Sequence, residues 1–181
     1  MDSNIQSLFK NLESDDKEAQ LDAFKSILDE TTDEVDWAYD VWDMLIEWLT
    51  DVDNHQRSRA AQFLSALAIS DPEQRMLEDF PMLWKVTKDP KFVTARHSLQ
   101  SIWKIGLAGE EQKLMVLNHI IDRFQNGLGE KHYTLIRFDM IEGLKKLYDQ
   151  LQDETIKQTA LDLIATEEDI KYQKKYLSVW K

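Results

Sequence analysis

The residue types able to do chemistry are present in this chain but are not arranged for it. The four histidines stand at positions 55, 97, 119 and 132. No pair has the His-x3-His or His-Glu-x-x-His spacing that turns two imidazoles toward one zinc ion. There is no cysteine, which removes thiolate nucleophiles, thiolate metal sites and any disulfide framework. Neither a Gly-x-Ser-x-Gly elbow nor a phosphate-cradling glycine loop occurs. The densest carboxylate set is Asp33, Asp36, Asp40, Asp43, Glu47 and Asp51. It is strung along what reads as one straight helix, so it cannot converge into a metal cage. These patterns predict no catalytic residue, no metal and no cofactor. A Ser–His–carboxylate set assembled across helices is the residual enzymatic option.

The charge distribution points to partners instead. The formal net charge of the 181 residues is −12. Residues 1–50 hold 14 acids against Lys10, Lys17 and Lys25, whereas 51–100 and 101–150 each hold seven of either sign. Nearly all the excess therefore sits on the first few helices, where it repels phosphate backbones and suits a basic partner.

The third helix, read as starting after Asp33 and running to about Thr50, carries the acids as a narrow stripe. The rest of its circumference is apolar, with Trp42, Leu45 and Leu49 on one side and Trp37, Met44 and Trp48 on the next. Such an arc suits a helix sandwiched between neighbours, with its tryptophans in the core or in an exposed patch. The stripe is either the solvated face of that helix or a docking face for a basic partner, formed by Asp33, Asp36, Asp40, Asp43 and Glu47. Like charges without interleaved lysine repel one another, a cost that a purely structural face usually avoids.

Apolar residues recur at helical spacing almost throughout, and no stretch alternates as a strand. We read about ten helices in a single domain over residues 1–181. Ser70-Asp71-Pro72-Glu73 reads as a stop and a restart, with Asp71 as N-cap and Pro72 at the first helical position. Pro81 should kink or split the fifth helix, and Gly143 should mark a close helix–helix approach. Thr166-Glu-Glu-Asp169 reads as a capping box opening a tenth helix. Ile156, Leu163, Ile170 and Leu177, spaced by sevens, also allow one long bent helix there. No segment resembles a signal peptide and the helices carry charges throughout, so a cytoplasmic location is expected.

One phrase recurs. Asp53-Asn-His-Gln-Arg57, Lys91-Phe-Val-Thr-Ala-Arg96 and Lys131-His-Tyr-Thr-Leu-Ile-Arg137 each end in an arginine, 39 and 41 residues apart. Ala60, Leu99 and Met140 follow three positions on, and Leu64, Trp103 and Leu144 seven positions on. That is the period of a two-helix unit stacked into a solenoid. At ~100° per residue, positions three and seven face the core and positions one, five and eight face outward. The outward set is Ser58, Gln62 and Ser65, then His97, Ser101 and Lys104, then Phe138, Glu142 and Lys145. The second helices of stacked pairs line the inner surface that such proteins use for binding, so this row is the candidate groove. It has neither the lysine and arginine row nor the aromatic stripe that would track nucleic acid.

The middle of the chain resembles the HEAT-repeat family. A family unit has a proline bending its first helix, an aspartate in the turn and an arginine opening the second helix. Pro81, Asp89 and Arg96 stand in that order, and Val93–Gly106 reads like a family second helix. Asp51 or Asp53 with Arg57 is a partial second instance. The third departs, with Glu130 and Lys131 where an aspartate is expected before Arg137. In the first, Gln20 holds the arginine position, followed by Ala23 and Ile27.

The resemblance implies an all-α fold, a right-handed α-α superhelix of about four HEAT-like pairs of the armadillo type. It also implies that aspartate and arginine bond between neighbouring repeats, which would make the three arginines structural. An arginine row gripping an anionic ligand is the alternative. The function expected is that of a non-enzymatic adaptor or inhibitor that docks another protein through the groove, the acidic N-terminal face, or both. One version is an acidic antidote to a basic toxin or nuclease. Some DNA-alkylation-repair glycosylases are built on related repeats and supply the enzymatic alternative, with Trp103 and Asp139 as pocket residues. That reading requires a basic concave face, which the net charge does not favour.

Overall fold

The computed structural model describes residues 1–181 and is all-helical, with ten α-helices and no strand. They are α1 (Ser3–Asn11), α2 (Lys17–Glu30), α3 (Ala38–Trp48), α4 (Asn54–Leu67), α5 (Met76–Val86), α6 (Phe92–Ser101), α7 (Glu110–Asn126), α8 (Tyr133–Leu151), α9 (Glu154–Ala165) and α10 (Ile170–Ser178). Short 3-10 segments, Ala68–Ser70 and Ile102–Leu107, prolong α4 and α6. No helix is long and apolar enough to cross a membrane.

Aspartate starts half of these helices. The carboxylates of Asp2, Asp16, Asp53, Asp153 and Asp169 each accept a hydrogen bond from the backbone N–H two residues on. Each cap satisfies a donor that the first turn leaves without an intrahelical partner. Packing does the rest. Helix α4 lies on α6 and α6 on α8, while α5 lies on α7 and α7 on α9. Contacts of α3 with α4, α5 with α6, and α8 with α9 tie these elements together. One cluster of 38 buried apolar residues runs from Ile5 to Tyr176. Trp42, Phe63, Phe80 and Phe124 in it have no solvent exposure, and each such burial is worth about 1.5–3 kcal/mol.

The structure departs from the sequence reading in several places, each with a local cause. Helix α3 begins at Ala38, not after Asp33. The Val35 N–H donates to Ser70 Oγ at 2.9 Å, and the buried Trp37 ring meets Phe9 edge-on, so residues 33–37 follow a turn. Asp33 and Asp36 are therefore off the helix. Asp51 lies beyond its other end, accepting from the Asp53 N–H at 2.7 Å.

Asp71 does not start a helix at Pro72. It is buried, and its carboxylate accepts from the Arg75 N–H (3.0 Å), the Met76 N–H (2.8 Å) and Tyr39 Oη (2.5 Å). The turn this enforces puts Gln74 at a φ of 57° and delays α5 to Met76. Helix α5 then runs through Pro81 unbroken, the ring projecting into solvent.

A Cβ at Gly143 would stand 3.8 Å from Trp103 Cβ, an ordinary contact, so the close approach expected there is absent. It lies at Gly106 instead, where a Cβ would come 2.9 Å from a Leu147 methyl. Residues 154–178 form two helices, α9 and α10, because Glu167 between them turns inward to pair with Arg137.

Candidate functional site

The three repeated arginines are held by carboxylates from later in the chain. Arg57 donates through Nε and Nη2 to Asp89 at 2.6 and 3.0 Å, and through Nη1 to the carbonyls of Asp51 and Val52. Arg96 grips Asp139 with the same edge, both bonds at 2.8 Å. Arg137 donates to Glu167 at 2.6 Å and to the Phe124 carbonyl, and lies 4.1 Å from the centroid of the Phe124 ring. The hydrogen bonds to Asp89 and Asp139 raise the pKa values of Arg57 and Arg96 above the ordinary guanidinium value. Bidentate pairs of this kind fix geometry as well as charge.

The row predicted at positions one, five and eight does not form a single exposed surface. Ser65 and Ser101 are buried within the α4–α6 contact, their hydroxyl oxygens 3.5 Å apart. The second helices pack too closely for those positions to reach solvent. Ser58 is also largely covered, accepting at Oγ from Gln62 Nε2 at 3.0 Å. Lys104 falls in the 3-10 segment, where α-helical periodicity no longer sets direction. It lines a pocket of about 130 Å³ with Thr31 and Trp103, and burial together with the nearby Lys146 lowers its pKa.

Phe138, Glu142 and Lys145 stand on α8, which packs against α10. The Phe138 ring packs against Tyr176, with Lys175 Nζ 4.8 Å from its centroid. Lys145 pairs with Asp149 at 2.5 Å and lies over Trp180, while Glu142 stays partly exposed.

What survives of the row opens onto a single cleft. Ser58, Gln62 and His97 line an open cleft of about 730 Å³ bounded by α2, α4 and the start of α6. Its other charged walls are Glu13, Asp15, Lys17, Asp53, His55 and Arg59. Arg59 escaped the sequence reading. Two residues beyond Arg57 it points some 200° away around the helix, toward α2, where it donates to the Leu12 carbonyl and to Gln20 Oε1. Burial lowers its pKa, against the pull of Asp53. The clue available was Gln20, 37 residues before Arg57 and followed by Ala23 and Ile27 in the same register, which is the hydrogen-bond partner of Arg59.

On the acidic face, Asp33, Asp36, Asp40, Asp43 and Glu47 are all exposed. Two are compensated internally: Asp40 by the terminal ammonium of Met1 at 2.7 Å, and Asp43 by Arg75, which lies over the rings of Tyr39 and Trp42. Asp36 and Asp40 also line a cavity of about 430 Å³ with Asp2 and Glu30. Trp37 is buried and Trp48 half-buried against the core.

The two residues of the glycosylase alternative are committed elsewhere. The Asp139 carboxylate is enclosed by Arg96 and Gln100, and Trp103 packs against the core. No three His, Asp or Glu side chains converge to hold a metal ion. No protein-family model matches this sequence, and a search of the curated proteins finds none similar to it.

Proposed function

We propose that the chain is a protein-binding adaptor or inhibitor without enzymatic activity, a single HEAT-like domain whose helix pairs wind as a right-handed superhelix. The arginine–carboxylate pairs supply the support for repeats: Arg57–Asp89 and Arg96–Asp139 use the same guanidinium edge in successive units. A cysteine-free chain suits the reducing cytosol.

The observation that carries the binding role is the pairing of an open polar cleft, lined by residues between Leu12 and His97, with an acidic face at residues 33–47. Polar rims and complementary charge are what reversible protein contacts use for specificity and on-rate. Asp33, Asp36 and Glu47 have no basic group within ion-pairing distance, so a basic partner would meet them uncompensated.

Affinity capture from the native cell tests this. A captured protein should elute progressively as salt rises. Replacing Asp33, Asp36 and Glu47 together by serine leaves the internal pairs of Asp40 and Asp43 in place and should abolish that salt sensitivity. Retention of full, salt-sensitive capture in the triple variant would reject the acidic face as the docking surface.

A further inference from the structure

The chain has six arginines, and five of them pair with a carboxylate: Arg57, Arg75, Arg96, Arg123 and Arg137. Arg59 alone does not. Its guanidinium is held in place by neutral oxygens only. Nη1 donates to the Leu12 carbonyl at 3.2 Å and to Gln56 Oε1 at 2.9 Å, and Nη2 donates to Gln20 Oε1 at 3.0 Å. That leaves Nε–H and the second Nη2 hydrogen without a protein partner.

Nε and Nη2 are the two nitrogens with which Arg57 holds Asp89 and Arg96 holds Asp139. Arg59 Nε has no protein partner and is not fully buried, so it keeps contact with solvent. Arg59 lines the cleft of about 730 Å³. A partly buried cation, oriented by three hydrogen bonds and keeping an unpartnered Nε–H beside this cleft, has the geometry of a receptor group.

We propose that the Arg59 edge receives the carboxylate of an aspartate or glutamate side chain on a peptide segment of the partner. The planar fork matches a carboxylate as the two internal pairs already do. The surroundings narrow the ligand further. Glu13, Asp15 and Asp53 also line the cleft, beside Lys17, His55 and His97. Three rim carboxylates disfavour a polyanion and favour a cation next to the bound acid. The segment that fits carries one acidic residue flanked by lysines or arginines, in keeping with the basic partner expected of the acidic face. This inference rests on the protein-binding reading.

The test follows the Arg Nε–Hε resonances of the full chain, with Arg59 assigned by the loss of its signal in Arg59→Lys. Acetyl-Lys-Glu-Lys-amide should move the Arg59 signal saturably while the five paired arginines stay put. Acetyl-Lys-Gln-Lys-amide, isosteric but uncharged at the centre, should bind about tenfold more weakly. Inorganic phosphate at matched ionic strength should also bind more weakly than the glutamate peptide. Equal response to both peptides, silence of Arg59, or stronger binding of phosphate would each overturn the assignment. The peptide and phosphate titrations use the unaltered protein, and the variant serves only to assign the Arg59 signal. If salt-sensitive capture from the cell persists while Arg59 stays silent, the adaptor reading stands and this site is removed.

Discussion

Asp139 accepts both edge hydrogens of Arg96 at 2.8 Å while its own side chain is fully screened from solvent; that of Arg96 remains 30% exposed. The asymmetry sets the energetics of the pair. Arg96→Ala leaves a buried carboxylate with only Gln100 as donor and should cost about 3 kcal/mol. Asp139→Ala leaves a guanidinium that water can reach and should cost about 1 kcal/mol. Urea denaturation, read as the shift in midpoint at constant slope, distinguishes the two variants.

The two glycines of the α6–α8 region should respond to alanine with opposite signs. At Gly143 the new methyl makes an ordinary contact with Trp103 Cβ at 3.8 Å, and the helix gains up to about 1 kcal/mol in propensity. At Gly106 it would stand 2.9 Å from a methyl of Leu147, which is itself wholly buried. Overpacking there should cost about 1–3 kcal/mol. Thermal melts of both variants, compared with the parent, provide the check.

Acid should release the link between α7 and α9. The Lys113 ammonium, 2.6 Å away, and the hydroxyl and N–H of Thr155 hold Asp153 down to about 2. Its folded pKa lies below the unfolded value, so the stabilisation is complete above pH ~4 and fades as pH falls toward ~2. With solvent screening the pair is worth about 1 kcal/mol. Asp153→Asn should lower stability at neutral pH and flatten its dependence between pH ~4 and ~2, measured by denaturation at stepped pH.

Helix α10 should be the first element to loosen when its buried tyrosine is altered. Tyr176 has no solvent exposure and donates its hydroxyl to the Thr134 carbonyl at 2.9 Å. Tyr176→Phe removes that bond and should cost about 1 kcal/mol. Amide hydrogen exchange should accelerate in residues 170–178 more than in α4 or α6.

The core phase was legible because each recurring arginine sets it for its own helix. Positions three and seven after it are core or core-packed in all three cases, as helical periodicity requires, although Trp103 already lies in the 3-10 segment that follows α6. The outward positions failed because what covers them lies outside that helix. Ser65 and Ser101 are hidden by the neighbouring second helix, and Phe138 packs against a side chain of α10. Lys104 failed because α6 tightens into a 3-10 segment at Ile102, which the apolar pattern does not announce. The acidic stripe looked continuous because a period of three to four fits a turn as well as a helix over so few residues. Ser70 on Val35 and Phe9 on Trp37, acting from outside the run, decide that Asp33 and Asp36 lie in a turn. Arg59 lies outside the core phase, because two positions after Arg57 it points to the other side of α4, and its partners Leu12 and Gln20 are distant in sequence.

The order of the three arginine–acid pairs also bears on how the chain is made. In each pair the cation is translated first, and its carboxylate follows 32, 43 or 30 residues later. A growing chain therefore emerges from the ribosome with a guanidinium waiting for the next unit, and each new carboxylate settles the charge of the one before. Synthesis halted between Arg96 and Asp139 would leave the Arg96 guanidinium without its carboxylate at the growing edge.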